Sequence, residues 1–303
     1  MSNRSHYTTA VSELRKEDVD SLLRLAIQED APDGDVTSES IFDRKEAGVA
    51  SVVAREEGVF CGMAISRHLV SVFHELTGYD LTIIDSWRDG ASFSKGDVLL
   101  SLQGAIAGIL RIERPLLNFV QYLSGIASTT AKVVAKAKSV SADIAILDTR
   151  KTLPGYRKAA KYAVYCGGGT NHRINLSDMA MIKDNHIEAA GSIRLAVEKI
   201  RARHPTVPVE IEVDQLSQID EALSCRPKII LLDNMNRDQL VLAISQIQKL
   251  PEAERPFIEL SGGFTPERFD ELQGLGGFGI SMGYITHTTR FIDLGLDIKN
   301  QAD

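Results

Sequence analysis

Five side chains carry the chemistry that is legible in this chain: Arg150 and Lys151, His172 and Arg173, and Lys183. All fall at the ends of short apolar runs or in the loop between the first two of them. Two unit charges about 4 Å apart interact by on the order of 4 kcal/mol at an effective dielectric of about 20, so several cations facing one hollow can hold a polyanion. Arginine's two-pronged donors suit a planar carboxylate, whereas lysine acts as a point charge on phosphate or carboxylate. The mixture points to a ligand carrying both. Glu212 and Asp233 add hard oxygen donors of the kind a magnesium ion shares with phosphates. Ser261-Gly262-Gly263 and Gly283 follow two later runs, where glycine lets backbone N–H groups approach a phosphate.

These residues need a scaffold that brings distant strand ends together. From about residue 143 the chain alternates β-branched runs, at 144–147, 179–182, 209–213, 229–232, 257–260 and 278–281, with helical patterns at 192–203, 217–223, 237–249 and 266–272. Such alternation predicts parallel βαβ units, either an open sheet or a barrel. Each run ends in polar residues, in order Asp148-Thr149-Arg150-Lys151, Lys183-Asp184-Asn185, Glu212 with Asp214, Asp233-Asn234, Ser261-Gly262-Gly263 and Ser281-Met282-Gly283. A barrel gathers the carboxyl ends of all its strands on one face, whereas an open sheet uses only the ends at its switch point. Six polar ends in succession favour the barrel. The first third reads as a small α+β module, with helices at 19–27 and 64–76 and strand-like pieces at 47–53, 58–63, 81–87 and 97–102. A long helix over 112–138 is expected to bridge the two parts, with Pro115 tolerated in its first turn.

Composition sets the outer bounds. The 303 residues are 44% hydrophobic and 25% charged, which excludes disordered and fibrous classes. With 34 basic against 41 acidic residues the net charge is -7, so neither nucleic acid nor an anionic membrane is expected as partner, and any anion site must be local. The amino terminus shows no apolar stretch of signal-peptide length and no segment approaches a membrane span, which places the expected location in the cytoplasm. Cys61, Cys166 and Cys225 are widely spaced and read as reduced thiols. Neither G-x-G-x-x-G nor a P-loop pattern occurs, and no two aspartates are adjacent. Plainer readings exist for single residues: Asp184, Asn185 and His186 could cap a helix, Gly167 to Gly169 could be a turn, and His172 could be structural.

The longer motifs add more. The runs D-T-R-K-T-L-P-G-Y-R at 148–157, K-Y-A-V-Y-C-G-G-G-T-N-H-R at 161–173 and D-M-A-M-I-K-D-N-H-I at 178–187 resemble the quinolinate phosphoribosyltransferase family. So do E-V-D at 212–214, L-L-D-N-M at 231–235, L-S-G-G at 260–263, G-Y-I-T-H at 283–287, E-D-A-P-D-G-D-V-T-S at 29–38 and E-R-P-L-L-N-F-V-Q-Y-L-S-G-I-A at 113–127. The resemblance implies an α/β fold: an N-terminal open-faced α/β sandwich plus an incomplete (β/α) barrel. It implies domains at 1–113 and 114–287, with 288–303 returning to the first. It also implies phosphoribosyl transfer from phosphoribosyl pyrophosphate to quinolinate with decarboxylation and Mg2+, in a homodimer or larger assembly whose sites are completed by a neighbour's arginine.

Carried over residue by residue, Arg114 matches that arginine, Arg150, His172, Arg173 and Lys183 match the surroundings of quinolinate, and Thr149 is a further substrate-binding residue. Lys151, Glu212 and Asp233 match the phosphoribosyl pyrophosphate and metal side, with Lys151, Lys183, Glu212 and Asp233 as the catalytic set. Ser261, Gly262, Gly263, Met282, Gly283 and Tyr284 match the grip on the ribose 5-phosphate. Pro115 stands where relatives often have threonine, and Tyr284 where they usually have a small residue. The alternatives are the molybdenum-transport-associated branch of the family, an aldolase-like barrel with a Schiff base on Lys183, and a non-enzymatic scaffold.

Overall fold

The structure is a computed structural model and describes residues 10–299. Its contacts divide it into two units, one of Val11–Ala131, Thr152–Gly168 and the residues from Ile285 on, the other of Lys132–Lys151 and Gly169–Tyr284.

In the first unit the chain forms α1 (Lys16–Asp30), α2 (Val36–Ile41), β1 (Ala47–Ala54), β2 (Gly58–Val59), α3 (Met63–Thr77), β3 (Leu81–Ser86), β4 (Ser92–Phe93) and β5 (Val98–Ala105). Apolar residues four apart, Val19, Leu23 and Ile27, make the buried stripe of α1. In α3 the stripe is Ile65, Leu69, Val72 and Phe73, and Gly78 at φ +70° ends the helix in the left-handed conformation. Asp35, in the D-G-D-V-T-S motif, caps α2 by accepting from Thr37 N and Ser38 N at 3.0 Å each, so this motif has a structural use. The strand β12 (Leu294–Lys299) returns to pair antiparallel with β1, giving a four-stranded antiparallel sheet in the order β12-β1-β5-β3. With α1 and α3 this is an open-faced α/β sandwich.

The helix α4 (Ile106–Val140) differs from the expected 112–138. It starts directly after β5, because Ile106 to Leu110 continue the buried apolar pattern with no turn residue between. Pro115 therefore lies inside the helix rather than in its first turn, where its ring removes one backbone bond to residue 111. The segment expected as a strand over 58–63 is shorter too, since α3 already begins at Met63. Also in the first unit, α5 (Arg157–Cys166) buries Ala159, Ala160 and Ala163.

The second unit holds β6 (Ala145–Leu147), β7 (Ala180–Ile182), α6 (Asp184–Ala190), α7 (Ile193–Arg203), β8 (Val209–Val213), α8 (Ile219–Ser224), β9 (Ile229–Asp233), α9 (Arg237–Gln248), β10 (Phe257–Ser261) and β11 (Gly279–Ser281). The predicted helix over 266–272 is a 3-10 helix. All six strands are parallel, in the order β6-β11-β10-β9-β8-β7. Among the described residues the edge strands β6 and β7 do not pair with each other, so the barrel is incomplete. Its apolar content is that of a sheet covered on both sides, with Ile211, Ile229, Ile230, Leu232, Leu260 and Ile280 all buried.

Candidate active site

Register decides which side chains share a face. Met181 pairs with Glu210, Glu210 with Ile229, Glu212 with Leu231, and Leu231 with Glu259. Asp233 pairs with Ser261, and Ser281 with Leu147. Side chains at paired positions of parallel strands project to the same side, and alternate residues along a strand return to it. Asp233 and Ser261 therefore crown the strand ends on one face, with Glu212 and Glu259 level with each other below them and Glu210 one layer lower.

The basic residues reach this face from β6 and the loop after it. Thr170 N donates to Ile146 O at 2.8 Å and Asp148 N donates to Thr170 O at 3.1 Å, so the loop runs as an extra rung beside β6. Buried Asp148 then accepts from His172 N at 2.8 Å and from Asn171 Nδ2 at 2.7 Å. His172 and Arg173 are thereby held inside, at 5% and 7% exposure. The Arg173 guanidinium donates to Met179 O at 2.9 Å and reaches Met181 Sδ at 3.6 Å on the β7 side. Burial lowers its pKa, and the Arg150 charge lowers it further. Two guanidinium groups that repel across one site are a form of stored demand for an anion.

Lys183 follows β7 and pairs with Glu212 at the end of β8. Burial raises the Glu212 carboxyl above its ordinary range; the Lys183 ammonium opposes this, and the Asp233 and Asp184 charges add to it. The pair sets the Lys183 side chain at the strand ends, where it offers a point charge to an anion. His186 Nδ1 accepts from Lys183 N at 3.0 Å and Asp184 Oδ1 accepts from Asn185 N at 2.7 Å, so the capping use of this triplet is realised in α6.

Just after β10, Gly262 has φ +99° and a Cβ there would lie 2.4 Å from Asn234 Oδ1 and 2.5 Å from Asn234 N. Only glycine fits so close to the end of β9. Asn234 is itself at φ +54°, and its amide donates to Asp233 Oδ2 at 2.7 Å. Gly263, at φ +65°, has nothing within 4 Å of its Cβ position. Met282 is buried and donates its N–H to Leu147 O at 2.9 Å, while Gly283 is partly exposed and Tyr284 is 38% exposed.

Of the residues singled out from the sequence, Thr149, Arg150, Lys151, His172, Arg173, Lys183, Glu212, Asp233, Ser261, Gly262, Gly263, Met282, Gly283 and Tyr284 belong to the second unit. Arg150 and Lys151 are exposed, with Thr149 Oγ1 accepting from Lys151 N at 3.0 Å. Arg114 belongs to the first unit, on α4, with a largely exposed side chain and Glu113 at 3.4 Å. Sequence reasoning passed over Asp148, Glu210 and Glu259 as functional residues. The available signal was an acidic residue inside an otherwise apolar run, V-E-I-E-V and F-I-E-L-S, which a buried strand does not carry without a partner.

A parallel sheet whose strand ends carry cations, acids and glycine loops has the layout of an enzyme of the (β/α) class. Comparison narrows the class. The family models described as the N-terminal and C-terminal domains of quinolinate phosphoribosyl transferase match residues 35–124 and 126–297. The chain is 38% identical over 277 residues to a nicotinate-nucleotide pyrophosphorylase [carboxylating] of Mycobacterium leprae, covering 91% of this chain and 95% of that one. It is 39% identical over 278 residues to a probable enzyme of that name from Bacillus subtilis, covering 91% and 92%. The solved nicotinate-nucleotide pyrophosphorylase of Francisella tularensis superposes with a TM-score of 0.86 at 32% identity, over 96% of this chain and all of that one. The chain belongs to the quinolinate phosphoribosyl transferase family.

Proposed function

We propose that this chain transfers the phosphoribosyl group of phosphoribosyl pyrophosphate to the ring nitrogen of quinolinate, with loss of carbon dioxide, giving nicotinate mononucleotide and pyrophosphate in NAD biosynthesis. The single observation that carries this reading is the burial of His172 and Arg173 beside the Arg150 charge on a face whose rim holds the Lys183–Glu212 pair. Such a face offers forked donors to two carboxylates of a rigid ring and a point charge to a third anionic group.

The residue types match the steps. Arg150, Arg173 and Lys183 orient quinolinate so that its nitrogen faces the anomeric carbon, which is where the proximity gain arises. Positive charge grows on the ribose as pyrophosphate departs, and the Glu212 and Asp233 carboxylates stabilise it electrostatically. Once the nitrogen is quaternised, the carboxylate beside it leaves as carbon dioxide, because the electron pair left on the ring carbon is stabilised by the adjacent cationic nitrogen; that carbon then takes a proton from water to give the product. The other carboxylate stays, held by arginine. Lys151 meets the pyrophosphate side, and the Gly262, Gly263 and Gly283 backbone, with Ser261, Met282 and Tyr284, surrounds the 5-phosphate.

Glu212 and Asp233 fit a magnesium ion. They are carboxylates at the ends of neighbouring strands, and the Asp233 charge already raises the Glu212 pKa, a repulsion that a divalent cation relieves. When bound, Mg2+ would neutralise charge on the leaving pyrophosphate. Arg114, exposed on α4, is assigned to the site of a second copy of the chain, which makes a homodimer the smallest active form. No described helix is long and apolar enough to cross a membrane, in keeping with the cytoplasmic location proposed.

The test is to incubate purified protein with quinolinate, phosphoribosyl pyrophosphate and Mg2+ and to follow nicotinate mononucleotide. The expected result is product formation with equal amounts of pyrophosphate and carbon dioxide, and none when nicotinate replaces quinolinate. Turnover of nicotinate but not quinolinate contradicts the decarboxylating activity.

A further inference from the structure

Beneath the rim of the site lie two buried carboxylates that the proposed reaction does not use. Glu210 in β8 and Glu259 in β10 are both fully buried, on strands separated by β9, and both reach the His172 ring: Nε2 lies 3.5 Å from Glu210 Oε2 and 3.3 Å from Glu259 Oε1. The Ser281 hydroxyl at the end of β11 donates to the same Glu259 oxygen. Arg173 N lies 2.7 Å from His172 Nδ1 and donates to it in the neutral ring, whose one proton is then on Nε2, between the carboxylates.

We propose that Glu259 is a positioning residue for the basic site: it holds the His172 ring, and with it the adjoining Arg173, while Ser281 holds Glu259. A carboxylate at the centre of a buried strand is costly unless it is paired, so its presence marks a role that an apolar residue could not fill. Burial lowers the His172 pKa, but the Glu259 and Glu210 charges more than reverse this and bring it to about 9. The charged groups facing the ring are Glu210 from β8, Glu259 from β10, Asp148 from the end of β6 through the His172 N–H, and Arg173, which neighbours the Arg150 charge. Three ligand atoms of His172, Glu210 and Glu259 lie within 4.8 Å of one another, so a divalent metal is the competing occupant of this position. The Ser281 hydroxyl already spends one Glu259 oxygen as an acceptor, which favours a proton over a metal.

This inference rests on the proposed activity for its kinetic arm alone; its spectroscopic arm needs no substrate. In histidine-labelled protein, the His172 signal is assigned by its loss in His172→Gln and titrated by NMR in the wild type, Glu259→Gln and Ser281→Ala. Removing one of two carboxylates is expected to lower the His172 midpoint by about one pH unit or more, with a smaller shift of the same sign in Ser281→Ala. The KM for quinolinate in Glu259→Gln is expected to rise about tenfold with kcat changed by less than about threefold, as for lost ground-state positioning. A folded Glu259→Gln protein with the wild-type midpoint and KM overturns the proposal. Stoichiometric zinc chloride that moves the His172 signal in the wild type but not in Glu259→Gln overturns it in favour of a metal site. If Glu259→Gln fails to fold, an unchanged midpoint and KM in Ser281→Ala overturn it equally. A wild type that shows the expected titration shifts but no turnover sinks the activity and supports the positioning role.

Discussion

The two units of this chain handle buried polarity in opposite ways. The antiparallel unit keeps hydroxyls inside, where they close small backbone gaps: Ser51 and Ser101 bond each other at 3.0 Å, Ser124 takes Cys61 N at 3.0 Å and Ser128 takes Val59 N at 2.7 Å. Apart from Lys161 of α5, its buried polar residues carry no charge. The parallel unit instead buries Asp148, His172, Arg173, Glu210 and Glu259 on or beside one face of its sheet. A bonded buried hydroxyl contributes about 1 kcal/mol to stability, whereas buried charges cost several kcal/mol each before pairing repays them. The difference teaches that the first unit closes its interior with neutral groups, while the second carries a cluster of buried charges that the proposed function assigns to ligand binding.

Substitution can break this contrast, and the largest effect is expected at Arg173. On the proposed assignment Arg173→Ala removes a buried guanidinium from the quinolinate pocket, at a cost of roughly 3 to 4 kcal/mol, and should lower kcat/KM for quinolinate by about 10²- to 10³-fold. Ser101→Ala, its counterpart in the other unit, should leave kcat/KM unchanged while lowering the melting temperature. Steady-state assays and thermal melts check both.

If Arg114 serves a partner's site as proposed, Arg114→Ala and Lys183→Ala should each be nearly inactive for different reasons: one lacks the arginine assigned to the partner, the other a cation assigned to its own site. Mixing them with subunit exchange should restore about a quarter of wild-type activity, because half of the dimers then contain one intact site in two. No recovery after verified exchange would confine Arg114 to a structural role in its own unit.

Next in size is a pH effect. The folded His172 value of about 9 lies above its ordinary 6.5, so its ion pairing contributes stability in full below pH 6.5 and loses it as pH rises through about 9. At 1.36 kcal/mol per unit the upper scale is roughly 3 kcal/mol. Wild-type denaturation midpoints should therefore fall between pH 6.5 and 9, and His172→Gln should flatten that slope; equal slopes contradict the pairing.

How far the sequence alone reached depends on the reach of its signals. The strand ends were legible because apolar runs stop at charged residues, as at Leu147-Asp148 and Ile182-Lys183, and the structure places these runs in one parallel sheet. The start of α4 was not legible, since Ala105-Ile106 passes from strand to helix without a turn residue and Pro115 read as a first-turn signal. Glu210 and Glu259 were passed over because their partner His172 lies about 40 and 90 residues away, and only register brings the three together. The Gly262 requirement was visible only as composition until its contact with Asn234 was known.

Two smaller changes sharpen the comparison. Arg150→Lys keeps the charge but loses the fork, and should lower kcat/KM about 10- to 30-fold, close to 2 kcal/mol. Gly262→Ala faces both a positive φ and the Asn234 backbone and should cost roughly 2 kcal/mol, whereas Gly96→Ala in the first unit, at φ +95° with nothing within 4 Å, should cost about 1 kcal/mol. Denaturant titrations of the two variants read the difference.

The most direct measurement of the central claim is a calorimetric titration of quinolinate and nicotinate into the wild type and Arg173→Ala. Basic side chains gathered for two carboxylates predict saturable quinolinate binding at least about tenfold tighter than nicotinate, with that preference lost in Arg173→Ala. Equal affinity for both acids, or a preference that survives the substitution, would contradict it.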